Sequence, residues 1–314
     1  MPIGVWIPLI TPFKNGQVDL KSYRRLIEHY IACGVAALFP LGTTGEAPTL
    51  DDAEVDEIVA TTVEVAAGRL PVFVGIGGND TRNVIKTIRR LEQLDFAGIV
   101  SVCPYYSRPS QDGMQQHFSA IADATDRQIV IYNIPYRTSV NLDNDTLLRL
   151  AERRNIIGVK DSSGNIAQSL ELLASKPAGF SVLTGEDTLY FTMMCNAADG
   201  GILAAAHLAT EQFVEIGRLI EANDHVAARA IWSSVRGFIS KLFCEANPMP
   251  IKHCLWRQGL IASPECRLPL SSSSDELALE LDRWLETASA AKTATDHVGL
   301  LQEPQLAARN RTAR

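Results

Sequence analysis

Lys160 closes an apolar run, Ile156-Ile157-Gly158-Val159-Lys160, that opens into the small polar loop Asp161-Ser162-Ser163-Gly164. A short apolar run bounded by turn residues reads as a strand buried on both faces. An amine at the end of such a strand stands at the rim of an apolar interior, where desolvation disfavours its charged form. The neutral amine is the species that condenses with a ketone or aldehyde to give a Schiff base. A free lysine, with a pKa of about 10.4, is neutral in roughly one molecule in a few thousand at pH 7. Burial is therefore what would make this residue a nucleophile. The competing reading is a lysine whose stem crosses apolar surface while its head reaches water. On position alone the solvated reading is the stronger, and the company Lys160 keeps reverses it.

Three further groups have the right chemistry. Tyr132 closes the run Gln128 to Tyr132, and a phenol beside the lysine would pass protons to and from a carbinolamine or enamine. Thr43 and Thr44 lie between Gly42 and Gly45, which permit a tight loop whose N–H groups cradle a carboxylate. Arg137 follows a proline turn and offers a planar fork for a second carboxylate. Taken singly, each has a plainer reading: a core tyrosine, an ordinary turn, a solvated arginine.

The elements that must position these residues recur along the chain. Strand-like runs fall at Val5 to Ile10, Ala36 to Leu41, Pro71 to Ile76, Gly98 to Cys103, Gln128 to Tyr132, Ile156 to Lys160, Phe180 to Thr184 and Gly201 to Ala205. Between them lie helix-periodic stretches. After Asp19, Tyr23, Leu26, Ile27, Tyr30 and Ile31 share one face. Thr49-Leu50-Asp51-Asp52 resembles a capping box, and Asp80 and Asp143 open further helices. Eight alternations of strand and helix predict an α/β protein with a parallel sheet, closed as a (β/α)8 barrel over residues 1–222. A doubly wound open sheet is the alternative, but no G-x-G-x-x-G turn follows the first strand. Helical segments over 209–222, 224–245, 249–260 and 274–288 predict a small helical C-terminal domain, 223–288, with Pro248 and Pro250 suited to a helix start. From 289 to 314 the composition turns to Ala, Thr, Gln and Arg, and a disordered tail is expected.

Composition sets the outer bounds. A length of 314 residues allows two average domains or one large α/β barrel, 46% hydrophobic content is ordinary for a globular protein, and a formal charge of −7 argues against a general nucleic-acid surface. No apolar run approaches a membrane span, and the N-terminus reads as a first strand rather than a signal peptide. Six scattered cysteines without a C-x-x-C pair point to reduced thiols and a cytoplasmic location.

Together, Gly42-Thr43-Thr44-Gly45-Glu46, Pro104-Tyr105-Tyr106-Ser107-Arg108-Pro109, Tyr132-Asn133-Ile134-Pro135-Tyr136-Arg137-Thr138, Gly158-Val159-Lys160-Asp161 and Asn247-Pro248-Met249-Pro250-Ile251-Lys252, with Arg267-Leu268-Pro269 beyond, resemble the dihydrodipicolinate synthase and N-acetylneuraminate lyase family of Schiff-base aldolases, in its synthase branch. The resemblance spans about residues 1–288. It implies a TIM barrel, a helical C-terminal domain and a homotetramer built as a dimer of dimers. It implies that Lys160 takes pyruvate, and that Tyr132, Thr43 and Tyr106 form a proton relay in which Tyr106 reaches a neighbouring subunit. By the same resemblance Thr44 holds the pyruvate carboxylate, Arg137 receives the carboxylate of aspartate semialdehyde, and Gly185 and Ile202 wall the pocket. No metal or dissociable cofactor is implied, and no nucleic-acid or membrane partner. Ser139 departs from the pattern, standing where a glycine usually follows the Arg-Thr pair. So do Asp52, Val55 and Asn83, which replace two histidines and a glutamate of a lysine-inhibited pocket that Asn79 and Tyr105 otherwise fit. The alternatives are a pyruvate-dependent aldolase or dehydratase acting on a sugar acid or another 2-oxo acid, and a catalytically silent barrel used for binding.

Overall fold

Each apolar run becomes a strand because its residues are buried on both faces, which only a sheet covered by helices allows. The computed structural model describes residues 1–287. Its strands are β1 (Gly4–Ile7), β2 (Phe13–Lys14), β3 (Gln17–Val18), β4 (Ala37–Leu38), β5 (Phe73–Gly75), β6 (Gly98–Val102), β7 (Gln128–Asn133), β8 (Ile156–Asp161), β9 (Ser181–Thr184) and β10 (Gly200–Ile202). Eight of them form one parallel sheet in the order β4-β1-β10-β9-β8-β7-β6-β5. Its two edges meet through a parallel bridge between Leu38 and Val72, with Leu38 N donating to Pro71 O (3.1 Å) and Gly75 N to Pro40 O (2.9 Å). The expected barrel is the observed one. All eight strands lie within one residue of, or inside, the expected runs.

The antiparallel hairpin β2–β3 was not among the expected elements. Each arm has two residues, too short for an alternation signal. Its turn does carry the Asn15-Gly16 pair, at φ 54° and 78°, which favours a tight hairpin.

Helix starts follow local chemistry. Asp19 accepts from Ser22 N at the head of Leu20–Ala32, and Asp80 from Arg82 N at the head of Thr81–Leu91. The capping box expected at Thr49 lies instead at Asp51, which exchanges bonds with Glu54 and opens Asp52–Ala66. Thr49 closes the preceding turn, its hydroxyl donating to Glu46 O. Asp143 precedes Asn144–Leu150 without a side-chain cap bond. Beyond the barrel come helices Thr210–Glu221, His225–Leu242 and Met249–Arg257, the last with Pro250 in its first turn. Residues 1–272 form one unit and a second begins at Ser273, with a helix over 275–287. The tail expected at 289–314 lies outside the described residues. No described helix is long and apolar enough to cross a membrane.

The barrel interior is filled by Trp6, Ala37, Phe39, Phe73, Val100, Val130, Tyr132, Ile134, Leu183 and Ile202. Outside it, a buried ion pair fixes the Gly42–Glu46 loop. Glu46 adopts φ 52°, and its carboxylate pairs with Lys252 while accepting from Arg267 N at 2.9 Å. Lys252 Nζ also donates to Glu265 O (2.8 Å) and lies 4.2 Å from the Phe13 ring centre; the Arg267 guanidinium lies 4.3 Å from the same centre. Both side chains of the pair are fully buried, so each depends on the other's charge. Lys252→Ala leaves Glu46 buried without its counter-ion and is predicted to cost about 3–5 kcal/mol. Chemical denaturation at fixed protein concentration measures it, and the double change Glu46→Gln with Lys252→Met is expected to regain part of the loss.

Candidate active site

Register brings Tyr132 opposite Lys160 on neighbouring strands, with Leu183 as the next partner of Lys160. Lys160 is 6% exposed, its Nζ 4.1 Å from the Tyr132 ring centre and 5.4 Å from that of Phe39. Burial pulls the amine down to about 7, against the opposing charge of Asp187 and with the help of the positive charge of Arg137. Half or so of the molecules therefore carry a neutral amine near pH 7. Burial acts on Tyr132 in the other direction, pushing its phenol well above the usual range, while Arg137, Ser162 and Thr43 all favour the phenolate.

Gly185 is required by this packing. A Cβ there would collide with Ser162 Oγ and lie 2.6 Å from Lys160 Cε and 2.9 Å from Cγ, so the lysine stem occupies the space that a side chain would take. Ile202 is 1% exposed and belongs to the same interior cluster. Thr43 and Thr44 open a single helical turn, Thr43–Gly45, and by that position their N–H groups have no acceptor inside it. Thr44 is buried, its Oγ1 accepting from Asn247 Nδ2 at 3.0 Å.

Arg137 lies in the turn Pro135–Thr138, exposed and 5.3 Å from the Tyr136 ring centre, near enough for its charge to act on both Lys160 and Tyr132. Ser139 closes that turn at φ 61°, ψ 14°, its N–H donating to Pro135 O at 2.7 Å. A glycine would take this conformation without strain, which explains the family pattern and makes serine the costlier residue here. The following loop is braced from behind by Asn133 Nδ2 to Asn141 Oδ1 (2.9 Å) and Asn141 Nδ2 to Gln168 Oε1 (2.9 Å).

Tyr106 lies on an exposed turn rather than among the buried side chains around Lys160. It is 89% exposed at φ 71°, the centre of a three-residue turn closed by Ser107 N to Tyr105 O at 2.9 Å. Asp52, one of the residues that depart from the lysine-inhibited pattern, pairs with Arg90 at 3.1 Å.

Asp187, Ser162 and Asn247 were not foreseen as site residues. Asp187 is buried, accepts Ala205 N at 2.6 Å and has its carboxyl pushed up to about 7 by burial, while the charge of Lys160 opposes that rise. In sequence it is one acid in a loop, and only its coupling to Lys160 marks it out. Asn247 carries a signal, its place in N-P-x-P-x-K, but no sequence feature says that it bonds Thr44. Among the described residues no three His, Cys, Asp or Glu side chains are grouped to hold a metal ion.

Residues 1–288 match the model of the dihydrodipicolinate synthetase family. The chain is 50% identical over 282 residues to 4-hydroxy-tetrahydrodipicolinate synthase 2 of Clostridium acetobutylicum, covering 90% of this chain and 99% of that protein. It is 38% identical over 277 residues to the 4-hydroxy-tetrahydrodipicolinate synthase of Thermotoga neapolitana, covering 87% and 94%. Among solved structures, the dihydrodipicolinate synthase of Thermotoga maritima superposes with a TM-score of 0.90 at 36% identity, covering 92% of this chain and 99% of that one. A lysine and a tyrosine at matching strand ends, a barrel that closes around them, and relatives alike over nearly their whole length place this chain in the dihydrodipicolinate synthetase family.

Proposed function

We propose that the protein condenses pyruvate with L-aspartate 4-semialdehyde to 4-hydroxy-tetrahydrodipicolinate, the cyclic precursor of diaminopimelate and lysine. The observation that carries this reading is the buried amine of Lys160, held beside the Tyr132 phenol and brought down to about 7. The family and the relatives' reaction support it.

The Lys160 amine adds to the pyruvate carbonyl, giving a carbinolamine. Tyr132 protonates the departing hydroxyl, water leaves and an iminium remains. The Tyr132 phenolate then takes a methyl proton, and the iminium nitrogen accepts the electron pair as an enamine forms. The enamine attacks the aldehyde of the second substrate, whose oxygen takes a proton. The amino group of that substrate adds to the iminium carbon and displaces Lys160, closing the ring. The electron sink is the lysine iminium, so this scheme uses no metal or dissociable cofactor.

In this reading Thr44 and the N–H groups of its turn hold the pyruvate carboxylate, Arg137 takes the second carboxylate at the mouth, and Gly185 and Ile202 wall the pocket. Thr43 passes protons between Tyr132 and Tyr106. The exposure of Tyr106 suits a residue used by a neighbouring subunit, which favours a homotetramer built from tight dimers. One 36%-identical solved structure is described as a monomeric dihydrodipicolinate synthase variant. The barrel, 1–222, carries the chemistry, and the segment 223–288 supplies the contacts to its loop, Asn247 from the turn before the helix Met249–Arg257 and Lys252 from that helix. A cytoplasmic setting agrees with six cysteines that form no disulfide.

Borohydride with pyruvate is expected to add one reduced pyruvate unit at Lys160, abolished in Lys160→Ala. Arg137→Ala is expected to keep the adduct and lower kcat/KM for aspartate semialdehyde by about 10- to 150-fold, the worth of a charge-assisted hydrogen bond. An adduct that persists in Lys160→Ala sinks the mechanism, and no turnover of aspartate semialdehyde by the unmutated protein shifts the assignment to a sugar acid or another 2-oxo acid.

Tyr106→Phe and Lys160→Ala are each expected to be nearly inactive and to regain activity when mixed after subunit dissociation and reassociation. A mixture that stays inactive despite proven exchange of subunits places the action of Tyr106 within its own chain.

A further inference from the structure

Ser162 stands two residues past Lys160 on the same chain, so the alternation of a strand puts both side chains on the inner face. Its backbone is held firmly. Ser162 N donates to Asn133 O at 2.8 Å, carrying the β7–β8 pairing one step past the strand end. Gly185 N donates to Asp161 O at 2.7 Å, pinning the next strand beside it. The missing side chain at Gly185 leaves the space that Ser162 Oγ and the Lys160 stem share.

The Ser162 hydroxyl is 1% exposed and has no hydrogen-bond partner. Buried hydroxyls are nearly always bonded, and two others in this chain obey the rule. Ser169 Oγ donates to Asp161 Oδ2 at 2.5 Å, and Thr44 Oγ1 accepts from Asn247 at 3.0 Å. Ser162 lies close enough to the Tyr132 hydroxyl to favour its ionised form, without a formed bond in the resting state.

That combination has a use in the reaction proposed above, on which this inference rests. When Tyr132 protonates the departing hydroxyl, a phenolate is left in a largely apolar interior, where an unpaired charge is costly. A neighbouring O–H that is idle in the ground state and bonded once charge develops stabilises the transition state selectively. We propose that Ser162 is a positioning residue for Tyr132, donating its hydroxyl proton in a hydrogen bond to the phenolate through both proton transfers. No proton leaves Ser162, and the bond is released when Tyr132 is protonated again.

The test is the exchange of pyruvate methyl protons for deuterium, followed by NMR without the second substrate, in a double-mutant cycle. Ser162→Ala only removes an oxygen from the packed site. It is expected to slow exchange and lower kcat by about tenfold or more, the worth of one hydrogen bond to a charged group. The KM for aspartate semialdehyde is expected to stay unchanged and the borohydride adduct at Lys160 to form still. In the Tyr132→Phe background, the same change is expected to cause no further loss, because the partner of the hydroxyl is gone. Exchange at the unmutated rate in Ser162→Ala overturns the inference, as does an equal loss in both backgrounds, which marks a structural role. Failure of the unmutated protein to form the adduct or to exchange overturns the reaction itself, a different result from either.

Discussion

Taking the Lys160 amine out of water is the constraint on which the rest of the site depends. An ammonium in a low-dielectric interior is unstable unless paired, and here the nearest groups are ring faces and a carboxyl that is itself buried. The barrel enforces this because Lys160 lies within the paired part of β8, between Tyr132 and Leu183, with its side chain buried among them. The same burial works on Asp187 and Tyr132 in the direction opposite to its effect on the lysine, favouring their neutral forms. Burial alone thus favours a neutral nucleophile beside a protonated acid, the pair that carbinolamine chemistry needs.

Holding that arrangement requires support from far along the chain. Glu46 leaves the Thr43–Thr44 turn in a left-handed conformation and is tied to Lys252 and to the Arg267 backbone. Asn247 fixes the Thr44 hydroxyl. These contacts give the Asn247-to-Lys252 and Arg267 motifs a concrete task, which is to hold the Gly42–Glu46 loop in place. Because Asn247 donates to Thr44 Oγ1, the Thr44 hydroxyl keeps its own proton for another acceptor. The mouth itself is more open, with Arg137 and Tyr136 exposed where a second substrate would enter.

Much of this was legible before the structure. The eight strands were readable as short apolar runs, and the Lys160–Tyr132 pairing follows from two runs that end on adjacent strands. Asp19 and Asp80 were readable as caps because a local side-chain bond fixes a helix start. Thr49 misled because it begins a polar cluster, whereas the bonded box forms only where Asp51 faces Glu54. The hairpin at Phe13–Val18 was too short to leave a periodic trace. Asp187, Ser162 and Asn247 could not be singled out, since their roles arise from packing between segments distant in sequence. The family resemblance supplied the roles of Gly185, Ile202 and Tyr106, which their places at strand ends do not reveal. The geometry then gave a physical reason for Gly185, a missing Cβ that makes room for the lysine.

The most direct check on the account is the titration of the Lys160 amine itself. Protein carrying lysine labelled at the ε-carbon and nitrogen would be followed by NMR from pH 5 to 11, with Lys160→Met identifying the resonance. The account predicts a midpoint at about 7, with the ammonium below it and the neutral amine above. Adduct formation with pyruvate should accordingly rise with pH through the same midpoint and then level off. A midpoint near the ordinary lysine value of about 10.4 would contradict it, because burial would then not be what makes Lys160 reactive.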